Sequence, residues 1–278
     1  MRAYEDIEKE RIPPLKIQMS GINKNFRVKR GDNRGWSQFV AVEDVDLEIY
    51  TGEFLAIVGP SGCGKSTLLD LLAGLEHATG GEIRLDGFAV TGPGMNRGVV
   101  MQGYALFPWL TVKANVEFGL EIKKTPKKER GEISRYYLDL VGLTDFANRY
   151  PHEISGGMKQ RVAIARALAF DPDVLLMDEP FAALDAQTRE TLQEELLRIW
   201  ERTKKTIVFV THGIDEAVFL ADRIAVMDTS PGRIKKILEV ELSRPRHGVR
   251  SSPEFGRMRH KVWCLLQKEE EIMEGEGI

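Results

Sequence analysis

Val45, Leu47 and Ile49 alternate with Asp46 and Glu48, the two-residue period of an antiparallel strand that buries one face. A Thr51-Gly52 turn then leads into Phe54-Leu55-Ala56-Ile57-Val58, an unbroken apolar run suited to a strand covered on both sides. Short aliphatic runs at 98–101, 174–177 and 206–210 predict further buried strands, with helical patterns between them. Strands that alternate with helices imply an α/β fold with a mainly parallel sheet. Residues 15–28 read as a first strand, 29–37 as a polar, Gly-containing loop, and 66–75 as a helix. From 102 to 160 the character is helical, punctuated by Gly142 and Pro151, which predicts a helical subdomain inserted at about 103–160. Residues 1–15, with Pro13-Pro14, read as an N-terminal lead-in. From Ser243 the chain turns basic at Arg244, Arg246 and Arg250, then acidic at Glu269 to Glu271. There are no internal repeats and no low-complexity tract.

The chain has 278 residues, enough for one large domain with tails, and its 42% apolar and 29% charged residues place it among globular proteins. A formal net charge of -3 argues against a dedicated nucleic-acid binder, which carries a basic excess. Two cysteines, Cys63 and Cys264, suit a reducing cytoplasm. Residues 1–16 lack the apolar stretch of a secretory signal, and no run approaches 18 apolar residues. If the protein acts at a membrane, another chain supplies the membrane part.

Gly59-Pro60-Ser61-Gly62-Cys63-Gly64-Lys65-Ser66 satisfies G-x-x-x-x-G-K-[ST] between a predicted buried strand and a predicted helix. Glycines let backbone N–H groups curl around phosphate oxygens, and the helix adds its positive end beneath them. Lys65 is expected to reach the β- and γ-phosphates, and the Ser66 hydroxyl to bind Mg²⁺. The strand at 174–177 ends in Asp178-Glu179, at the sheet edge where such folds bind ligands. Asp178 is expected to hold Mg²⁺, through water, and Glu179 to orient or deprotonate an attacking water. The strand from 206 delivers His212 to the same edge, and Gln102 ends its own strand there. Each of those two, taken alone, reads as a bland strand-end residue.

Ile154-Ser155-Gly156-Gly157-Met158-Lys159-Gln160-Arg161 is the most specific feature of the chain. Together with the phosphate loop, Gln102, Asp178-Glu179, Ala183-Leu184-Asp185 and His212, it resembles the ATPase subunits of ABC transporters over about residues 16–235. The resemblance implies a P-loop NTPase core, an N-terminal antiparallel β subdomain and the inserted helical subdomain, with 236–278 as a C-terminal extension, read as a helical appendage. It implies that Gly59 to Thr67 bind ATP and that Ser155, Gly156 and Gly157 close on the γ-phosphate held by the opposite subunit. Two ATP are then sandwiched per homodimer, or per pair of ATPase subunits. Asp185 would lie in the loop that crosses between the sites, and His212 would contact the γ-phosphate and position Glu179 and water. Gln102 would touch Mg²⁺ and report nucleotide state. Phe26 matches the adenine-stacking aromatic, with Trp36 or Phe39 as substitutes because the following loop is long. Met158 stands where the commonest signature has Gln, a change expected to tune activity rather than abolish it.

The segments from Gly103 to Val112, Gly156 to Arg161, Phe181 to Arg189 and Ser230 to Ile234 are similar to importer ATPases for nitrate, sulfonates and taurine. That similarity implies integral-membrane permease partners docked through Tyr104 to Trp109, a solute-binding protein acting indirectly, and a peripheral position on the cytoplasmic face of the membrane. An exporter ATPase, a soluble ABC ATPase acting on nucleic acid or the ribosome, and a non-hydrolysing regulator are the competing readings. The last would lack Glu179 or His212, and the second usually has two ATPase domains or a long coiled-coil insertion.

Overall fold

A computed structural model describes residues 13–29, 35–229, 231–246 and 248–267. In chain order its elements are β1 (Leu15–Lys29), β2 (Trp36–Tyr50), β3 (Phe54–Val58), α1 (Lys65–Ala73), β4 (Gly80–Leu85), β5 (Phe88–Ala89), β6 (Arg97–Val100), α2 (Val112–Ile122), α3 (Lys127–Leu140), α4 (Gly156–Ala169), β7 (Val174–Asp178), α5 (Ala186–Thr203), β8 (Thr206–Thr211), α6 (Ile214–Leu220), β9 (Arg223–Met227), β10 (Ile234–Glu239) and α7 (Pro253–Gln267). They build a four-stranded antiparallel sheet, β2-β1-β4-β5, and a six-stranded sheet, β10-β9-β3-β8-β7-β6, parallel except for β10. This is the α/β architecture the hydrophobic pattern predicts.

The larger sheet divides the core by the strand's two-residue period. Phe54, Ala56 and Val58 of β3 pack on the helical side, with Leu175 and Met177 of β7 and Ile207 and Phe209 of β8. Leu55 and Ile57, with Leu176, Val208 and Val210, pack against α1 and the antiparallel sheet. All five β3 side chains are buried, and Phe54, Leu55, Ile57 and Val58 each contribute about 1.5–3 kcal/mol, whereas both residues of β5 in the antiparallel sheet are exposed.

Three differences from the sequence reading have local causes. The hairpin pairs as far as Lys29 opposite Trp36, so Lys29, Trp36 and Ser37 are strand rather than loop, and residues 30–34 lie outside those described. Helix α1 stops at Ala73 because Gly74 turns left-handed and caps the carbonyls of Asp70 and Leu71. The basic stretch after Ser243, which in sequence is only a change of composition, packs into the domain. Arg246 is 2% exposed and donates to the carbonyls of Val218, Phe219 and Ala221, while Arg244 pairs with Asp222 at 2.7 Å and lies over the Trp200 ring. Residues 1–12 and Glu269 to Glu271 lie outside the described residues.

Candidate active site

The phosphate loop joins β3 to α1 at the carboxyl edge of the larger sheet. Gly64 has φ 94°, and a Cβ there would meet the Ala41 carbonyl at 2.7 Å, so only glycine permits this approach. Gly64 is also the N-cap of α1 and offers its N–H groups no side-chain acceptor. By contrast Thr111, Ser155 and Asp185 cap α2, α4 and α5. The bare N-terminus of α1 therefore presents N–H donors and a partial positive charge, the requirement for binding phosphate. Lys65 is buried, and its ammonium donates to the carbonyls of Gly59 at 2.7 Å and Pro60 at 2.9 Å, which centres it in the loop. Pro60, Ser61, Gly62 and Ser66 are exposed, whereas Gly59 and Cys63 are buried and Thr67 is half-buried. Burial pushes the Cys63 thiol pKa up, against the pull of Lys65, so the thiol stays protonated.

Across the edge, the Ser66 hydroxyl donates to Asp178 Oδ1 at 3.2 Å. Burial raises the Asp178 pKa, opposed by the Ser66 hydrogen bond and reinforced by the charge of Glu179. Asp70 is raised too, by burial first and then by Asp178. Hydroxyl and carboxylate oxygens crowded with negative charge are the donor set of a hard divalent cation. Glu179 turns left-handed, φ 41°, a conformation costing a side-chain-bearing residue about 1–3 kcal/mol, and its N–H donates to Val210 O at 2.9 Å. Its Oε2 comes 3.1 Å from His212 Nδ1. A carboxylate only accepts, so Nδ1 carries the proton and Nε2 is left to face solvent. Gln102 is exposed two residues past β6, on the same edge.

Ser155, Gly156 and Gly157 stand on another element, the start of α4. The Ser155 hydroxyl accepts from Met158 N at 3.3 Å, and the Met158 side chain packs against the helical-side core. Asp185 caps α5, accepting from Thr188 N at 3.0 Å, and that hydrogen bond holds its carboxyl pKa down. At the antiparallel sheet, Phe26 packs partly into the core with the Lys24 ammonium 4.7 Å over its ring. Phe39 lies opposite Phe26 in register and is exposed, as is Trp36.

Two residues that hold the aromatic segment escaped the sequence reading. Asn115, fully buried, accepts from Phe107 N and donates to the carbonyls of Phe107, Leu110 and Thr111. Arg166 of α4 donates to the carbonyls of Tyr104 and Ala105, both at positive φ. Together they present Trp109, 71% exposed, beside the Phe107 ring. No local sequence pattern marks either residue.

A strand–glycine loop–helix unit facing a strand that ends in Asp178, with Glu179 next to it, defines a phosphate-loop protein that binds a nucleoside triphosphate. Residues 42–182 match the family described as ABC transporter. The chain is 49% identical over 97% of its length to an uncharacterised ABC transporter ATP-binding protein of Methanocaldococcus jannaschii, covering 98% of that protein. It is 47% identical to the nitrate import ATP-binding protein of Synechocystis sp., over 92% of this chain and 97% of that one. To the taurine import ATP-binding protein of Roseobacter denitrificans it is 43% identical, over 93% and 97%. Among solved structures, a dimeric ATP-binding cassette in a post-hydrolysis state with ADP and Pi superposes with a TM-score of 0.70 at 33% identity, covering 82% of this chain and all of that one. The chain belongs to the ABC transporter family and is an ATP-binding ATPase. No described helix is long and apolar enough to cross a membrane.

Proposed function

We propose that this chain is the ATP-hydrolysing subunit that energises a membrane importer of nitrate, a sulfonate, taurine or a related small anion. The observation that carries the reading is the assembled edge: Lys65 centred in its loop, Ser66 on Asp178, and Glu179 on His212. Gly59 to Thr67 cradle the phosphates of ATP, Phe26 (or Trp36 or Phe39 in its place) stacks on adenine, and Ser66, Asp178 and Gln102 would hold Mg²⁺. When bound, that ion neutralises charge between the β- and γ-phosphates. Glu179 orients a water in line with the γ-phosphorus and takes its proton as the bond to the β–γ bridging oxygen breaks, leaving ADP and phosphate. His212 fixes Glu179 and offers Nε2 toward the γ-phosphate.

Ser155, Gly156 and Gly157 lie on α4, apart from the loop's own helix, which supports a site completed by a second ATPase subunit. In that dimer two ATP are sandwiched and Asp185 lies near the crossing between sites. Residues 16–235 form the ATPase domain, with the helical subdomain at about 103–160 and the extension after 235; β10 and α7 pack that extension onto the domain. Trp109 and its aromatic neighbours dock a permease at the cytoplasmic face, and a solute-binding protein acts through that permease. Relatives at 47% and 43% identity are named for nitrate and for taurine import, which supports this class of solute.

Purification of the tagged chain from detergent-solubilised membranes tests the importer reading. An integral-membrane protein that co-elutes, and whose transport requires this chain, supports it. Co-sedimentation with nucleic acid or ribosomes instead would sink it.

A further inference from the structure

The residues on either side of His212 are tied to the C-terminal segment by side chains that the hydrolytic reading does not use. Thr211, 2% exposed, donates its hydroxyl to Glu216 Oε2 and accepts from Gly213 N at 2.9 Å, so both peptide neighbours of His212 share one hydroxyl. Glu216 Oε1 accepts from Gln193 Nε2 at 3.0 Å, and Gln193 is itself 1% exposed on α5. The other end of that amide, Oε1, accepts from Arg250, in the short turn Val249–Ser251 that precedes α7. Arg250 is braced in turn, its guanidinium 4.0 Å from the centre of the Phe219 ring. The relay has one polarity: a guanidinium that only donates, an amide that accepts and donates, and a carboxylate that only accepts.

Buried amides and hydroxyls this completely matched hold one geometry, because any shift leaves a buried polar group unpaired. Gln193, Glu216 and Arg250 also line a cavity of about 810 Å³ that reaches from Glu179 and His212 to Trp263 of α7. The C-terminal segment thus walls the same space into which the catalytic pair faces. We infer that Arg250, Gln193, Glu216 and Thr211 are positioning residues, which set His212 against Glu179, and that the C-terminal segment takes part in turnover rather than hanging from the domain as an appendage. The inference rests on the proposed role of His212.

Steady-state ATPase assays on the full chain test this, alongside fluorescent-nucleotide binding and thermal melting. Arg250→Met keeps the length of the side chain and removes the donor; Thr211→Val keeps its shape and removes the hydroxyl. Each is expected to lower kcat roughly tenfold, the scale of a small misplacement of a catalytic group, with KM and nucleotide affinity unchanged and Tm lowered only modestly, by the partner group left unpaired. Arg250→Lys restores part of the loss, and the double variant Arg250→Met with Thr211→Val is no slower than the slower single, as for members of one relay. Arg257→Ala, which removes only an exposed pair with Glu254, leaves kcat unaltered. Unchanged kcat in both single variants, losses that multiply, or a kcat that returns to the wild-type value at an assay temperature where the variants are fully folded would each overturn the relay. His212→Ala separates the two levels. Full turnover in that variant removes the His212 role itself, whereas an inactive His212→Ala beside a fully active Arg250→Met removes only the relay.

Discussion

Glu179 Oε2 and His212 Nδ1 lie 3.1 Å apart although one follows β7 and the other β8. The register of the parallel sheet brings them level. Asp178 stands opposite Val210, and the left-handed turn at Glu179 is held by its N–H on the Val210 carbonyl. A one-residue slip of either strand would carry its own member of the pair to the wrong face, so packing beneath the site specifies the chemistry above it.

Glu179→Gln keeps the size of the side chain and removes the base. Turnover should fall by about 10²–10⁴-fold, while ATP still binds and an ATP-loaded dimer accumulates. Phosphate release and size-exclusion chromatography in ATP check both parts, and full activity would remove Glu179 from the mechanism.

Lys65→Ala strikes binding instead. A lost charge-assisted contact to phosphate is worth about 1.5–3 kcal/mol, so the Kd for ATP should weaken by at least about tenfold. Titration calorimetry reads this directly; an unaltered Kd contradicts the loop assignment.

Asp178 gives a pH-dependent prediction. Burial, chiefly, lifts its folded pKa above the unfolded value, so between the two the folded chain binds more protons than the unfolded one. Stability from this group is therefore lost as pH rises through that window, and at neutral pH the ionised carboxylate is a net cost. Asp178→Asn should raise the Tm of the nucleotide-free protein at neutral pH while sharply weakening Mg²⁺-dependent hydrolysis. Wild-type activity should need more Mg²⁺ as pH falls toward the folded pKa, because proton and cation compete for the same oxygens. A lower Tm for Asp178→Asn would contradict the sign.

If the site is shared between two subunits, Lys65→Ala and Ser155→Arg should each be inactive alone yet regain hydrolysis when mixed. One site of the mixed pair then collects both lesions and the other neither. Continued inactivity after verified subunit exchange would point to a site complete within one chain.

Residues 54–58 and 174–177 were legible as strands because every side chain on both faces is apolar and buried. The run Ile224 to Met227 in β9 is of the same kind, apolar and buried throughout. Strand β4 was harder: only Ile83 and Leu85 of its six residues are buried, and it begins with two glycines. The hairpin end, Lys29 with Trp36, is made by backbone pairing between exposed side chains, which leaves no hydrophobic signature. At the site, Lys65, Ser66, Asp178 and Glu179 were visible because each is adjacent to a strand or helix end in sequence. Arg250 and Gln193 were not. They are 57 positions apart, and only the folding of α5 against the C-terminal turn makes them neighbours. Arg246 read as one charge in a basic stretch, and only tertiary structure turns it into the buried cap of α6.

Gly232 donates to Ala41 O and accepts from Glu43 N, and a Cβ there would fall 2.1 Å from the Cys63 carbonyl and 2.8 Å from that of Ala41. One residue without a side chain thus rivets together the antiparallel hairpin, the phosphate loop and the β9–β10 connection. Shear between these parts is opposed at this one point. A displacement of the loop relative to the hairpin would break these contacts, so a side chain at position 232 should disturb all three parts at once.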